Sequence, residues 1–164
     1  MVTTTRKTEE KGQRTPRSMG VYQARGGMSG EVHCACGAIL HKKCWHQGTP
    51  HASDTVQATT VCPACQRIAD HNPAGIVTLS GAFLSEHQPE IDQLLVTLTE
   101  HEADKNPLCR VIEKCTGTAS TTITTTNTKL AQKIGRTLFK TYGGDLQYRW
   151  GHGEELVRVS WNRS

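Results

Sequence analysis

Long apolar runs are missing from this chain. No stretch approaches the roughly 18 residues that a membrane span requires, and the opening MVTTTRKTEEKGQRTPRSMG lacks the apolar centre of a secretory leader. Both absences point to a soluble, intracellular, cytoplasmic protein with no membrane partner. Aromatic residues are scarce, at 5%, and no strand carries the aromatic pattern with which an RRM-type sheet stacks bases. Hydrophobic residues make up only 35% of the chain, and much of the deficit falls in the first thirty positions. Catalytic patterns are missing as well: there is no Ser/His/Asp order, no phosphate loop and no open metal position. An enzyme is therefore not expected, nor a small-molecule substrate.

Cysteine and histidine, by contrast, are concentrated. Residues 31–72 hold five of the seven cysteines and five of the eight histidines. In a reducing compartment this pattern argues for metal ligands and buried thiols rather than disulfides. VCPAC, at 61–65, is an intact knuckle with Cys62 and Cys65 three apart. A lone Cys-x-x-Cys could be redox-active, but a second cysteine group about 26 residues upstream favours the tetrahedral N/S shell that zinc prefers. That upstream group, EVHCACGAILHKKCW, breaks the usual spacing. Cys36 followed by Gly37 fits the second ligand of a knuckle, and three positions compete for the fourth. His33 has the same i, i+3 offset to Cys36 as Cys62 has to Cys65. Cys34 needs the chain to fold back over a one-residue gap, and Cys44 needs a different loop. Spacing favours a zinc site of His33, Cys36, Cys62 and Cys65, with Cys34 as the alternative to His33. Cys109 and Cys115 read as small buried residues.

Three segments follow from the composition. Residues 1–30 are polar and aperiodic, with six Lys/Arg against two Glu, and read as a disordered basic arm. Residues 31–72 read as a zinc ribbon that needs its metal to fold. Residues 73–164 have the texture of an α+β domain. GIVTLSG reads as a strand, and Ile91, Leu94, Leu95 and Leu98 line one face of a helix with Ser85 as its N-cap and Pro89 in its first turns. Residues 107–115 and 121–126 form a hairpin. A second helix runs over 127–142 and stops at Gly143-Gly144, and two alternating strands, DLQYRW and ELVRVSW, close the chain. The β-α-β-β-α-β-β order predicts a split β-α-β, ferredoxin-like sheet with one added edge strand.

Charge is distributed unevenly. Residues 73–106 carry one Lys/Arg against six acids, while residues 107–164 carry nine against four. On the second helix Lys129, Lys133, Arg136 and Lys140 share a stripe without an acid. With Lys42, Lys43 and Arg67 of the ribbon they form the expected nucleic-acid surface, gripping phosphate rather than bases.

The runs CPACQRIAD, PAGIVTLSGAFLSEH, TTTNTKLAQKIGRTL and LVRVSW resemble a family of small, little-characterised bacterial zinc-ribbon proteins. That family is in turn similar to part of the archaeal and eukaryotic adaptor that accompanies the large ribosomal subunit out of the nucleus. The resemblance covers about residues 33–161. It implies a zinc ribbon ahead of an α+β domain and a role on ribosomes or other structured rRNA, under stress, in hibernation or during assembly. In the family pattern the first knuckle reads Cys-x-x-Cys-Gly-Ala, so His33 stands in for its first cysteine and Cys44 is an added thiol. A redox- or metal-responsive regulator and a zinc-ribbon protein–protein adaptor are the alternatives.

Overall fold

The computed structural model describes residues 6–7, 22, 31–48, 58–151 and 155–164. Most of the expected basic arm lies outside these residues. Of that segment, strand β1 (Arg6–Lys7) and Tyr22 are described, and both touch the folded body. Among the described residues the chain is a mixed α+β structure of four helices and two sheets.

The smaller sheet holds β2 (Val32–His33), β3 (Ala38–His41), β4 (Cys44–Gln47) and β5 (Ala58–Thr59) in the order β4-β3-β2-β5. Helix α1 (Pro63–Ala69) follows it. Lys42 and Lys43 form the β3–β4 turn with positive φ, 47° and 66°, the conformation a two-residue hairpin demands because it matches the strand twist.

The larger sheet takes β6 (Gly75–Ser80), β7 (Val111–Thr116), β8 (Ser120–Thr125), β9 (Asp145–Trp150) and β10 (Val157–Asn162), with β1 on its edge, in the order β1-β9-β10-β6-β8-β7. The last strand is not an added edge. β10 enters the middle, parallel to β6 and antiparallel to β9. The alternation in LVRVSW accounts for this place: Val157, Val159 and Trp161 are all fully buried, an apolar row that an edge position would leave half wet.

Three helices complete the fold: α2 (Ala82–Glu86), α3 (Gln88–Lys105) and α4 (Thr128–Tyr142). The segment expected to be one helix capped by Ser85 is two, broken at His87. Ser85 lies inside α2, and Pro89, which has no N–H to give, sits in the first turn of α3. Helix α4 matches expectation: the Asn127 side chain accepts from the Lys129 N–H at 2.7 Å, and Gly143 ends it at φ 72°. Its Leu130, Ala131, Ile134 and Leu138 are buried against Val77, Leu79, Ile123 and Leu146 of the sheet. Each of the larger aliphatic side chains among them contributes about 1.5–3 kcal/mol by leaving water. Gly135 lets the helix lie close, since a Cβ there would stand 2.6 Å from Val159 Cγ1.

In the larger sheet the buried strand residues share one face, the one against which the helices pack. The opposite face shows Thr78, Thr122, Thr124, Gln147, Ser160, Arg149 and Arg158, part-exposed or exposed. Cys109 is buried as expected, but Cys115 is exposed, because edge strand β7 turns its outer half to solvent.

Candidate metal centre

Four thiols converge where the smaller sheet meets α1. The Sγ atoms of Cys34, Cys36, Cys62 and Cys65 all lie within 4.8 Å of one another. Cys34 Sγ is 3.8 Å from Cys65 Sγ, and Cys36 Sγ is 3.7 Å from Cys62 Sγ. Such a quartet could hold a metal ion.

The upstream half is built by a tight reversal. Val32 is buried and pins β2, after which the Cys34 N–H donates to Ala38 O at 2.8 Å and the Gly37 N–H donates to Cys34 O at 2.9 Å. Gly37 closes the turn at φ 95°, a left-handed conformation that side chains resist. Folded this way, the one-residue gap between Cys34 and Cys36 is no obstacle, and both thiols face α1. The quartet therefore contains Cys34 where spacing favoured His33. His33 belongs to β2, one residue too early to enter the turn, and its Nε2 stands 3.9 Å from Glu31 Oε2. Cys44 is exposed on β4 and takes no part.

The downstream half is the start of α1. Cys62 is its N-cap and Pro63 its first residue, and the Cys62 sulfur accepts from the Cys65 N–H at 3.4 Å. The Cys62 N–H donates to Cys34 Sγ at 3.3 Å. These amides set the acidity of the free thiols. Burial works against the Cys34 thiolate, but the N–H groups of Cys36 and Cys62 outweigh it and bring the thiol down to about 7. Burial dominates at Cys62 and Cys36, whose thiols are pushed up. The quartet thus offers one ready thiolate beside reluctant partners, and a cation would supply what the others lack.

A residue that spacing could not reveal completes the surroundings. Arg110, just ahead of β7, donates from Nη1 to Cys65 Sγ at 3.2 Å. Leu108 packs on the same cluster as Trp45 and Ala64, so the larger sheet's approach loop closes over the thiols.

The expected nucleic-acid residues separate into two groups. Lys42, Lys43, Lys129, Arg136 and Lys140 are exposed, with no ion pair to a described residue. Arg67 is committed instead: it donates to Asn72 O and to Glu155 at 3.0 Å, with Tyr22 stacked on its guanidinium. Lys133 is committed too, bonded to Glu102 of α3 at 2.5 Å. The stripe lacks an acid only along its own helix, since α3 supplies one. Arg149 and Arg158 escaped notice and form a cross-strand pair on the open sheet face. Their signal was the outward alternation in DLQYRW and LVRVSW.

Set against known protein families, curated proteins and solved structures, the chain finds no match.

Proposed function

We propose that this chain is a non-enzymatic, zinc-stabilised protein that binds structured RNA by its phosphates, with the ribosome as its site of action. Zinc is favoured because a tetrahedron with Zn–S bonds of about 2.3 Å sets its sulfurs about 3.8 Å apart, and two of the sulfur pairs stand at 3.7 and 3.8 Å. Four protein thiols fill a tetrahedral shell and leave no place for a reacting water, which supports a structural metal in a zinc ribbon. The topology supports a split β-α-β layer, β8 lying between β6 and β7, into which β10 has been inserted.

One observation carries the RNA reading. Arg149 and Arg158 are directly opposed in register, exposed, and without an ion pair to any described residue. Like charges so placed lower sheet stability by a few tenths of a kcal/mol or more, a cost that a phosphate partner reverses. Hydroxyls of Thr78, Thr122 and Ser160 in neighbouring strands complete a flat surface for a sugar–phosphate backbone. No helix among the described residues is long and apolar enough to cross a membrane. Sedimentation with ribosomes and separated subunits across a salt series tests the reading. Co-migration that weakens steeply with salt supports it; a protein that stays at the top of the gradient at low salt sinks it.

A redox-responsive regulator is the second reading, favoured by the exposure of Cys36 within the quartet. Hydrogen peroxide would take two electrons from a thiolate pair, forming a disulfide and water and releasing the ion. Zinc that stays bound under mild peroxide removes this reading.

A further inference from the structure

We infer that the outer face of the smaller sheet is a second metal site, in which Glu31, His33 and His41 bind a divalent late transition ion. Strand alternation sorts the donors. Val32, Leu40, Ala38 and Trp45 face inward, the last two packing with the thiol cluster. The complementary positions then share the outer face: Glu31 and His33 on or beside β2, His41 on β3, and Cys44 and His46 on β4. Register fixes the rows, with His41 opposite Cys44, and His33 opposite Ile39, which is opposite His46. Metal-binding side chains thus occupy nearly every outward position of three paired strands.

At the centre, one carboxylate lies between two imidazoles. Glu31 Oε1 is 3.8 Å from His41 Nδ1, and Glu31 Oε2 is 3.9 Å from His33 Nε2. Both separations are too long for hydrogen bonds. The His33 Nε2 is a buried atom with no hydrogen-bond partner, which leaves a lone pair or an N–H in want of one. Donors around one tetrahedral ion at metal–ligand distances of about 2.0–2.2 Å stand roughly 3.3–3.6 Å apart, so each imidazole has to close on the Glu31 carboxylate by only a few tenths of an ångström. The site is reachable from solvent: the His41 side chain is 47% exposed and that of Glu31 36%. Two histidines and a carboxylate select zinc, nickel or copper over magnesium or calcium, which prefer all-oxygen shells. Cys44, opposite His41, is placed to add a softer ligand. Because His33 directly precedes Cys34, an ion held here would also stiffen the strand that delivers Cys34 to the quartet.

The test uses the full chain loaded with zinc at one ion per molecule, then dialysed against Ni(II), with both metals counted. One nickel per chain is expected beside an undisturbed zinc. The double variant His33→Gln, His41→Gln should keep its zinc and bind nickel roughly tenfold or more weakly, while His101→Gln, on an exposed helical histidine, should bind as the parent does. A parent that takes up no nickel, or a double variant that still binds it, overturns the second site. Loss of the zinc itself would speak against the thiol quartet instead.

Discussion

The guanidinium of Arg110 stands 3.2 Å from the sulfur of Cys65. A residue of the larger sheet's approach loop thereby meets a thiol of the smaller unit. Burial works against the arginine's charge, but the hydrogen bond to Cys65 and the field of Cys36 and Cys62 hold its pKa above the ordinary value. Four thiolates around a divalent ion would leave two negative charges over, and Arg110 would offset part of that excess. Arg110→Met should speed chelator-driven metal loss by about ten- to a hundredfold. A colorimetric chelator assay checks this.

The two sides of the first knuckle can be told apart by substitution. Cys34→Ser should weaken metal binding at the quartet strongly and leave a thiol short of partners. His33→Gln should leave that site's stoichiometry at one. Cobalt titration reads both, because thiolate-to-metal charge-transfer absorption scales with the sulfur count.

On the open face, Arg149→Glu with Arg158→Glu should reduce RNA affinity and flatten its salt dependence by about two units of slope, roughly one per cation removed. Lys133→Gln should change that slope little, because its ammonium is already bonded to Glu102. Filter binding to a structured rRNA fragment over a salt series distinguishes them.

Acid should weaken the α3–α4 contact. The Glu102 carboxyl is held below its ordinary range, first by the hydrogen bond from Lys133, with burial opposing and the charges of Lys133, Lys105 and His101 assisting. A carboxyl lowered in the fold adds stability that is fully present above its unfolded value and is lost as pH falls through the folded one. Urea denaturation should show a loss of about 1 kcal/mol across that window in the parent, and a smaller loss in Lys133→Gln.

Gly81→Ala should destabilise the larger sheet by about 2 kcal/mol or more. The residue sits at φ 109°, and a Cβ there would stand 1.9 Å from Arg163 O. Thermal unfolding measures the shift.

Much of the fold was legible because apolar period and burial agree. Leu130, Ala131, Ile134 and Leu138 repeat with helical spacing and Val157, Val159 and Trp161 alternate, and all seven are buried. The metal cluster was legible as a concentration of donors. The place of Cys34 in it was not, because spacing says nothing of a turn that Gly37 closes tightly enough to bring Cys34 to the other thiols. The committed state of Lys133 and Arg67 was hidden for a similar reason. Their partners, Glu102 and Glu155, lie far along the chain and meet them only through packing. The inward place of β10 was equally non-local, since no property of LVRVSW names β6 as its neighbour.

That place of β10 has a consequence for the order of synthesis. The residues of the thiol quartet, the latest of them Cys65, are all made well before Val157, and the four thiols can come together while the rest of the chain is still being extended. The larger sheet cannot do the same. β6 and β9 have no common neighbour until β10 arrives between them, so one hydrogen-bonding edge of β6 waits unpaired from early in synthesis until the last strand is made. Shelter for the nascent chain over that interval then matters more than the speed of any local step.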